Sequence, residues 1–232
     1  MISIVLPVII KNEFQFEMTK FTVWCMKNQT EINNELIIVE TKSERCKNIG
    51  DKYIHRTNYS SYTEDFNAGC DLADGDFIVH IGNDVIVQRS WIEYMLECFN
   101  RYTDCGIATI AIKEPGFFIG PDKPQNSIVE SFYGALMMFR SEWRLDDAFP
   151  DQMSDYDLCM QVYERGLRSY RNNAGHAFHL KEITYDTLWK DKKFTRFQTG
   201  VERFNRKWSD AHYLIKSIII KGIAQYGKEQ DV

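Results

Sequence analysis

The stretch DGDFIVHIGNDVIV, residues 74–87, carries an apolar strand pattern into a Gly-Asn-Asp turn and then back into apolar residues. Asn and Asp are common turn residues, so the simplest interpretation is that the turn ends a strand. A second interpretation is that the strand delivers the carboxylate of Asp84 to a ligand, with Gly82 allowing the backbone to come close to it. The rest of the chain has to favour one of the two.

Strands and helices alternate around this stretch. The predicted strands are 2–8, 36–39, 77–81 and 107–112, and the predicted helices are 17–28, 61–72 and 91–102. This alternation predicts an α/β fold with a largely parallel sheet and helices on both faces. Ligands of such sheets bind beyond the carboxyl ends of the strands. We therefore expect the residues after Leu6, after Glu40 and at 82–84 to share one rim.

Three Ser-x-x-acid patterns have the form of a capping box and predict helix starts. They are Ser61 with Glu64, Ser90 with Glu93 and Ser154 with Asp157. Gly166 is a suitable C-terminal residue for the last of these helices.

The second half of the chain has a different pattern. Residues 113–127 contain three prolines and two glycines, which predicts a long loop of the kind that often covers a binding site. A strand pattern resumes over 128–139, a short strand is predicted at 177–180, and helices at 189–208 and 212–226 close the chain. We find no repeat or linker composition, so we expect one domain over 1–232.

Composition excludes several classes of protein. Hydrophobic residues make up 44% of the 232 residues, which is ample for a packed core, and the net charge of −5 argues against a nucleic-acid partner. The six cysteines lack zinc-site spacing and predict free thiols in a reducing compartment. No apolar run is long enough to span a bilayer, and the N-terminal apolar run is too short for a signal peptide, so we expect a cytoplasmic protein.

Three sets of polar residues could carry chemistry. Asp84 is a candidate ligand for Mg²⁺ or Mn²⁺, which prefer carboxylate oxygens. Asp155 lies near a predicted helix start. Its carboxylate could simply interact favourably with the helix dipole, or it could act as a rigidly held general base. His176 and His179 should lie on opposite faces of a strand, so we do not expect both to bind one ion; either could be structural, or supplement a carboxylate on Mn²⁺.

The sequence lacks the common phosphate-binding motifs and the motifs of two large hydrolase classes. There is no P-loop, no dinucleotide fingerprint after the first strand, no nucleophile elbow and no His-Glu-x-x-His zinc motif. A metal-bridged diphosphate is the natural alternative.

In order along the chain, several segments resemble the family 2 glycosyltransferases, which have the GT-A fold. They are SIVLPV, WCMKNQTEINNELIIVE, FNAGCDLADGDFIVHIGND, FYGALMMFRSEWRLDDAFPDQMSDYDLCMQVYERG and RFNRKW. The resemblance covers about residues 2–208. Four positions depart from the family pattern: Glu40 replaces an Asp at the end of the second strand, Gly82 replaces the first acid of the Asp-x-Asp motif, Ser154 replaces a Glu, and Gln161 replaces a frequent Arg.

The resemblance implies a GT-A fold with a central, mostly parallel mixed sheet flanked by helices. Residues 1–112 would form the nucleotide-sugar half, 113–208 the acceptor half and 209–232 a C-terminal helix. It also implies the site residues: Asp155 as catalytic base, Asp84 and His179 as metal ligands, with His176 the less well-spaced candidate. The residues implied to bind the donor are Pro7, Val8, Glu40, Asn67, Asn83 and Asp84.

The implied activity is inverting transfer of a sugar, of the hexosyltransferase type, to an acceptor hydroxyl. The donor would be a UDP-, GDP- or dTDP-linked sugar with Mn²⁺ or Mg²⁺, and the acceptor a glycan, glycoprotein or lipid-linked molecule. The C-terminal helix would serve the core, a homo-oligomer or a peripheral membrane contact. Two alternatives remain open: a non-catalytic module that keeps the fold, and a sugar-nucleotide pyrophosphorylase, whose Gly-rich basic signature after the first strand is absent.

Overall fold

The computed structural model describes residues 1–114, 117–119, 128–130, 135–180 and 193–209. The strands are β1 (Ile2–Ile9), β2 (Asn34–Thr41), β3 (Lys52–Arg56), β4 (Phe77–Ile81), β5 (Val85–Val87), β6 (Cys105–Glu114), β7 (Phe117–Ile119), β8 (Ile128–Glu130), β9 (Leu136–Arg140) and β10 (Arg168–His179). The helices are α1 (Glu13–Asn28), α2 (Tyr62–Asp71), α3 (Trp91–Arg101), α4 (Ser154–Glu164) and α5 (Lys193–Lys207).

The strands form one mixed sheet in the order β3-β2-β1-β4-β9-β6-β10-β5. The pairs β3–β2, β2–β1, β1–β4 and β6–β10 are parallel, whereas β9 runs antiparallel between β4 and β6. Strand β5 pairs antiparallel with the end of β10. The predicted mixed α/β sheet is confirmed, and its carboxyl edge carries the ends of β1, β2, β4, β6 and β10.

Helices cover both faces of the sheet. Apolar residues of α1 and α3 pack on one face, and those of α2 and α4 pack on the other. A third apolar cluster joins α5 to α4 and to the segment before it, through Phe149, Met153, Met160, Phe204 and Trp208. Burial of these stripes at roughly 25 cal/mol per Å² of apolar surface is the main source of stability.

Two strands that the sequence patterns missed in whole or in part, β3 and β10, contain many polar residues. β3 is an edge strand whose residues are half-buried or exposed, so it has no apolar run. β10 begins at Arg168, nine residues before the predicted start at 177, and contains a register shift between Asn172 and His176. Gly175 lies in this irregularity because a Cβ there would come within 2.6 Å of Ile110 Cγ2.

One of the three predicted capping boxes has its helix-capping Ser in place. Ser61 Oγ accepts a hydrogen bond from the Glu64 amide at 3.0 Å. The helix starts predicted at Ser90 and Ser154 are confirmed, but neither Ser forms the expected cap: Ser90 precedes α3 with a φ of 62° and makes no side-chain cap bond, and Ser154 is already the first residue of α4. The sequence spacing was correct there, but the backbone angle that aims a capping side chain was not readable from it.

The end of α4 agrees with its prediction. Gly166 has a φ of +77°, its amide donates to the Tyr163 carbonyl, and the Leu167 amide donates to the Val162 carbonyl. This is the left-handed helix end that favours Gly.

The loop prediction for 113–127 was partly wrong. Strand β6 continues through Glu114, and β7 pairs back onto it; residues 115–116 and 120–127 lie outside the described residues. The predicted helix at 189–208 corresponds to α5 from Lys193 onward, while the helix predicted at 212–226 lies outside the described residues. All six cysteines are buried free thiols, as predicted. In the part of the chain described here, no helix has the length and apolar character needed to cross a membrane.

Candidate functional site

Asp84 lies at the carboxyl edge of the sheet, in the turn between β4 and β5, with 7% of its surface exposed. Its carbonyl accepts a hydrogen bond from the Leu180 amide at 2.9 Å. The neighbouring Asn83 is held by α1: its Nδ2 donates to Thr19 Oγ1 at 3.0 Å and its carbonyl accepts from Thr22 Oγ1 at 2.9 Å. The turn is therefore fixed from both sides, and its Asp84 carboxylate is left facing β10.

His179, the last residue of β10, lies between two carboxylates. Its Nε2 is 3.5 Å from Asp84 Oδ1, and its Nδ1 is 2.7 Å from Glu114 Oε1. Burial lowers the pKa of His179, but the hydrogen bonds and charges of Asp84 and Glu114 outweigh it and raise the pKa to about 9. His179 is thus a cation between two anions when no other cation is present.

Glu114 was missed by the sequence interpretation. It ends β6, next to β10, and its side chain is only 8% exposed. The available signal was an acidic residue at the carboxyl end of a strand in a sheet whose ligands are expected there. It was overlooked because residues 113–127 were interpreted as a loop.

His176 has different surroundings from His179. Burial and the nearby charge of Lys113 lower the pKa of His176. Its carbonyl accepts from the Gln88 amide at 3.3 Å. Of the two histidines, His179 is the one that the structure brings to Asp84.

Asp155 is the second residue of α4. Desolvation raises its pKa to about 6, although the backbone amides of Tyr156 and of Asp155 itself pull it down. A carboxylate with such a pKa is ionised at neutral pH and still basic enough to accept a proton, which is the range expected of a general base.

Tyr62, the first residue of α2, has its hydroxyl 2.8 Å from Nε2 of His80 on β4. Burial raises the pKa of the Tyr62 phenol, and the charges of Asp84 and Asp155 are the next causes. The charges of both carboxylates therefore act on this phenol. Tyr62 follows Ser61 in an ordinary helix start, so nothing in the sequence indicated this position.

Glu40 is fully buried at the end of β2. Its two oxygens accept hydrogen bonds from four groups in the next segment and strand: Ser43 Oγ, the Arg45 and Cys46 amides, and Tyr53 hydroxyl. The carboxylate therefore fixes the backbone after β2. A direct contact between Glu40 and a nucleoside stays a prediction.

The remaining donor-binding candidates lie in two places. Pro7 and Val8 are near the carboxyl end of β1, where Val8 is in register with Glu40 on β2. Asn67 is on α2, and its amide group exchanges hydrogen bonds with the backbone of Leu145, at 2.8 and 3.1 Å. Pro7 and Val8 thus share the rim with Glu40, whereas Asn67 ties α2 to the segment before α4.

The residues near Asp84 suit a metal that is completed by its substrate. Among the described residues, no group of three or more His, Cys, Asp or Glu side chains is arranged to hold an ion. Asp84 Oδ1 and His179 Nε2 nevertheless offer two donors 3.5 Å apart. Mg²⁺ and similar ions are commonly held by one or two protein ligands together with phosphates and water. The donor set fits that arrangement.

Two cavities of the described chain lie away from Asp84 and Asp155. One, of about 450 Å³, is lined by Arg144, Gln161 and Lys207 among others, and one of about 210 Å³ lies between α5 and the segment 149–152. Neither is lined by Asp84 or Asp155. The candidate site is the carboxyl edge of the sheet, where the titratable side chains of Asp84, His179 and Glu114 meet.

Comparisons with known proteins identify the family and the fold. The family described as Glycosyl transferase family 2 matches residues 3–167. The structure is similar to the crystal structure of S. aureus TarS 1–349, with a TM-score of 0.58 and 11% identity over 90% of this chain and 72% of that chain. At that identity the likeness concerns the fold alone. A comparison with curated protein sequences found no match.

Proposed function

The chain belongs to glycosyl transferase family 2 and has the GT-A fold, and from this premise we propose that it is an inverting, metal-dependent glycosyltransferase of the hexosyl type. It moves a sugar from a nucleotide-diphosphate sugar to an acceptor hydroxyl. The observation that carries the proposal is that Asp84 and His179 meet at the carboxyl edge of the sheet, with Nε2 of His179 3.5 Å from Oδ1 of Asp84. This pair supports a diphosphate side, and Asp155 at the start of α4 would supply the base side.

The diphosphate side is formed by Asp84 and His179. These two residues would hold Mn²⁺ or Mg²⁺, which would neutralise the charge of the leaving diphosphate. Glu114 contributes by accepting the Nδ1 hydrogen of His179, which leaves Nε2 directed at Asp84. A UDP-, GDP- or dTDP-linked donor is compatible with this chemistry.

The base side is Asp155. Its carboxylate takes the proton of the acceptor hydroxyl while the oxygen attacks the anomeric carbon from the side opposite the diphosphate. The bond from the anomeric carbon to the diphosphate breaks as the new bond forms, so the configuration inverts. The pKa of about 6 keeps Asp155 ionised for this step at neutral pH.

The nucleoside would bind over the carboxyl ends of β1 and β2. Pro7 and Val8 supply backbone there, and Glu40 shapes the following segment through its four internal hydrogen bonds. Asn83 would hold the Asp84 turn, and Asn67 would support the acceptor half from α2.

The larger organisation belongs to the same proposal. Residues 1–112 would form the donor half and 113–208 the acceptor half. Residues 209–232 would serve the core, a homo-oligomer or contact with a membrane that holds a lipid-linked acceptor. A cytoplasmic location is the compartment in which six free thiols stay reduced.

A donor-hydrolysis assay with Mn²⁺ tests the proposal. The wild-type protein should turn over at least one nucleotide sugar from a UDP, GDP and dTDP panel, and Asp155→Asn should lower kcat by about 10²–10⁴-fold. Equal turnover by the variant would remove Asp155 as the base. No turnover of any donor by the wild type would favour the non-catalytic module. That alternative is supported by the departures from the family pattern at Gly82, Ser154 and Gln161.

A further inference from the structure

The segment before Asp155 is clamped between two helices. From the α2 side, the Thr63 amide donates to the Pro150 carbonyl at 3.0 Å, and Thr63 Oγ1 donates to the Phe149 carbonyl at 2.6 Å. From the other side, α5 packs closely: a Cβ on Gly200 would lie 3.1 Å from Met153 Cγ. We call residues 149–153 the base turn, because Asp155 follows it by two residues.

The Asp151 side chain of the base turn accepts hydrogen bonds from both directions, from the start of α2 and from α5. Its Oδ1 accepts hydrogen bonds from the Tyr59 hydroxyl and, at 3.3 Å, from the Tyr62 amide. Its Oδ2 accepts from Nη1 of Arg196 on α5. The carboxylate is 12% exposed and the Arg196 side chain 32% exposed, so water screens the pair less than it would on an open surface.

The start of α4 has no side-chain cap of its own. Met153 is the capping residue, has a φ of 71° and makes no side-chain cap bond. A residue other than Gly is strained in the left-handed conformation and keeps it only when its surroundings hold it there. The contacts that hold it here come from α2 and α5.

The Asp151 carboxylate is linked to α2 as well as to the start of α4. It accepts a hydrogen bond from the amide of Tyr62, and the charges of Asp84 and Asp155 both act on the Tyr62 phenol. The turn that Asp151 fixes leads directly into Asp155. Because catalytic geometry is sensitive to shifts of about 1 Å, a side chain that fixes both groups matters beyond its contribution to stability.

We propose that Asp151, tied to α5 by Arg196 and to the first residue of α2 by the Tyr62 amide, is a positioning residue that holds Asp155 in reach of the acceptor hydroxyl. This inference rests on the proposed function. It gives α5, which lies beyond the family match at 3–167, a role in catalysis: docking of α5 completes the base side of the site.

The test compares Asp151→Asn, Arg196→Ala and Arg196→Lys with the control Arg203→Ala. Arg203 lies on the same helix, is exposed and donates to the Ala148 carbonyl at 3.2 Å, so its removal costs a contact of α5 without touching Asp151. Each variant is assayed for kcat and donor KM at a temperature well below its Tm. Hydrogen exchange of the peptide 152–158 is followed in the same proteins without donor.

Arg196→Ala and Asp151→Asn should lower kcat by about tenfold to a hundredfold with donor KM nearly unchanged, and should speed exchange of the peptide 152–158. Arg196→Lys should recover part of both losses because it keeps the charge. The acid limb of the kcat profile should move to lower pH, since a looser turn hydrates Asp155. Arg203→Ala should behave as wild type.

Two results would overturn the inference. One is exchange at 152–158 that matches the Arg203→Ala control. The other is a change in Tm alone, with kcat and the pH profile intact, which would make the tether a purely structural contact. A wild-type protein inactive on every donor would refute the proposed function instead, while the exchange measurement would still report whether Asp151 and Arg196 hold the turn.

Discussion

Nδ1 of His179 lies 2.7 Å from Oε1 of Glu114, so the imidazole is directed by a carboxylate on the neighbouring strand. The other ring nitrogen is turned to Asp84. Gly82 brings no charge to the turn, so the turn has the single carboxylate of Asp84. Glu114 adds a second carboxylate on the other side of the His179 imidazole.

The first prediction concerns Glu114. Replacement of Glu114 by Ala should lower the affinity for Mn²⁺ by about 10–100-fold, the usual cost of losing a carboxylate behind a metal-binding His. Calorimetric titration with Mn²⁺ alone and with Mn²⁺ plus UDP measures this without requiring turnover. Glu17→Ala is the control, because Glu17 is exposed on α1 and pairs with Lys20. Unchanged affinity in Glu114→Ala would mean that Glu114 does not direct the ligand.

The second prediction concerns the space at Gly82. A Cβ at this position would lie 2.8 Å from Asp84 Oδ1, so Gly82→Ala should push the Asp84 carboxylate out of its present position. We expect weaker Mn²⁺ binding with little change in Tm, because the displaced atom ends a side chain and not a backbone segment. Calorimetry and thermal unfolding of the same preparation separate the two effects. Normal Mn²⁺ affinity in Gly82→Ala would show that Asp84 relocates without cost.

The third prediction is the pH dependence of the base. The pKa of Asp155 is raised to about 6 by burial, so kcat should rise with pH through about 6 and then level off. Rates from pH 5 to 8 on a saturating donor measure this limb. A residual rate in Asp155→Asn that keeps the same limb would assign the titration to another group.

The fourth prediction is the effect of that pKa on stability. An acid whose pKa is higher in the folded than in the unfolded state favours folding while it is protonated. Its contribution is therefore lost as pH rises from about 4 to about 6. Asp155→Asn should consequently raise Tm at pH 7 by a few degrees, and by less at pH 4, where the wild-type carboxyl is also neutral. An equal change in Tm at the two pH values would contradict this reasoning.

How far the sequence predicted the site depended on whether its residues carry a local pattern. Asp84 lies in the turn after a strand whose bounds, Phe77–Ile81, were predicted, so its place on the rim followed from topology. Tyr62 lies on α2, and its place beside the sheet depends on helix packing, which joins residues far apart in the chain and leaves no local signal. Glu114 did carry a signal, an acid at the end of a strand, but the interpretation of 113–127 as a loop concealed it. Met153 has a left-handed backbone conformation, which a sequence pattern predicts only where Gly or Asn stands.

The capping predictions give a matched pair of stability tests. Ser61 caps α2 through a 3.0 Å bond to the Glu64 amide, so Ser61→Ala should cost about 1 kcal/mol of unfolding free energy. Ser90 has the same sequence pattern but a φ of 62° and no side-chain cap bond. Ser90→Gly should therefore raise the free energy of unfolding, because Gly adopts this backbone without strain. Urea unfolding of both variants at pH 7 gives the two values. If Ser90→Gly proved as destabilising as Ser61→Ala, Ser90 would be acting as a cap in solution despite its backbone angle, and the start of α3 would resemble that of α2.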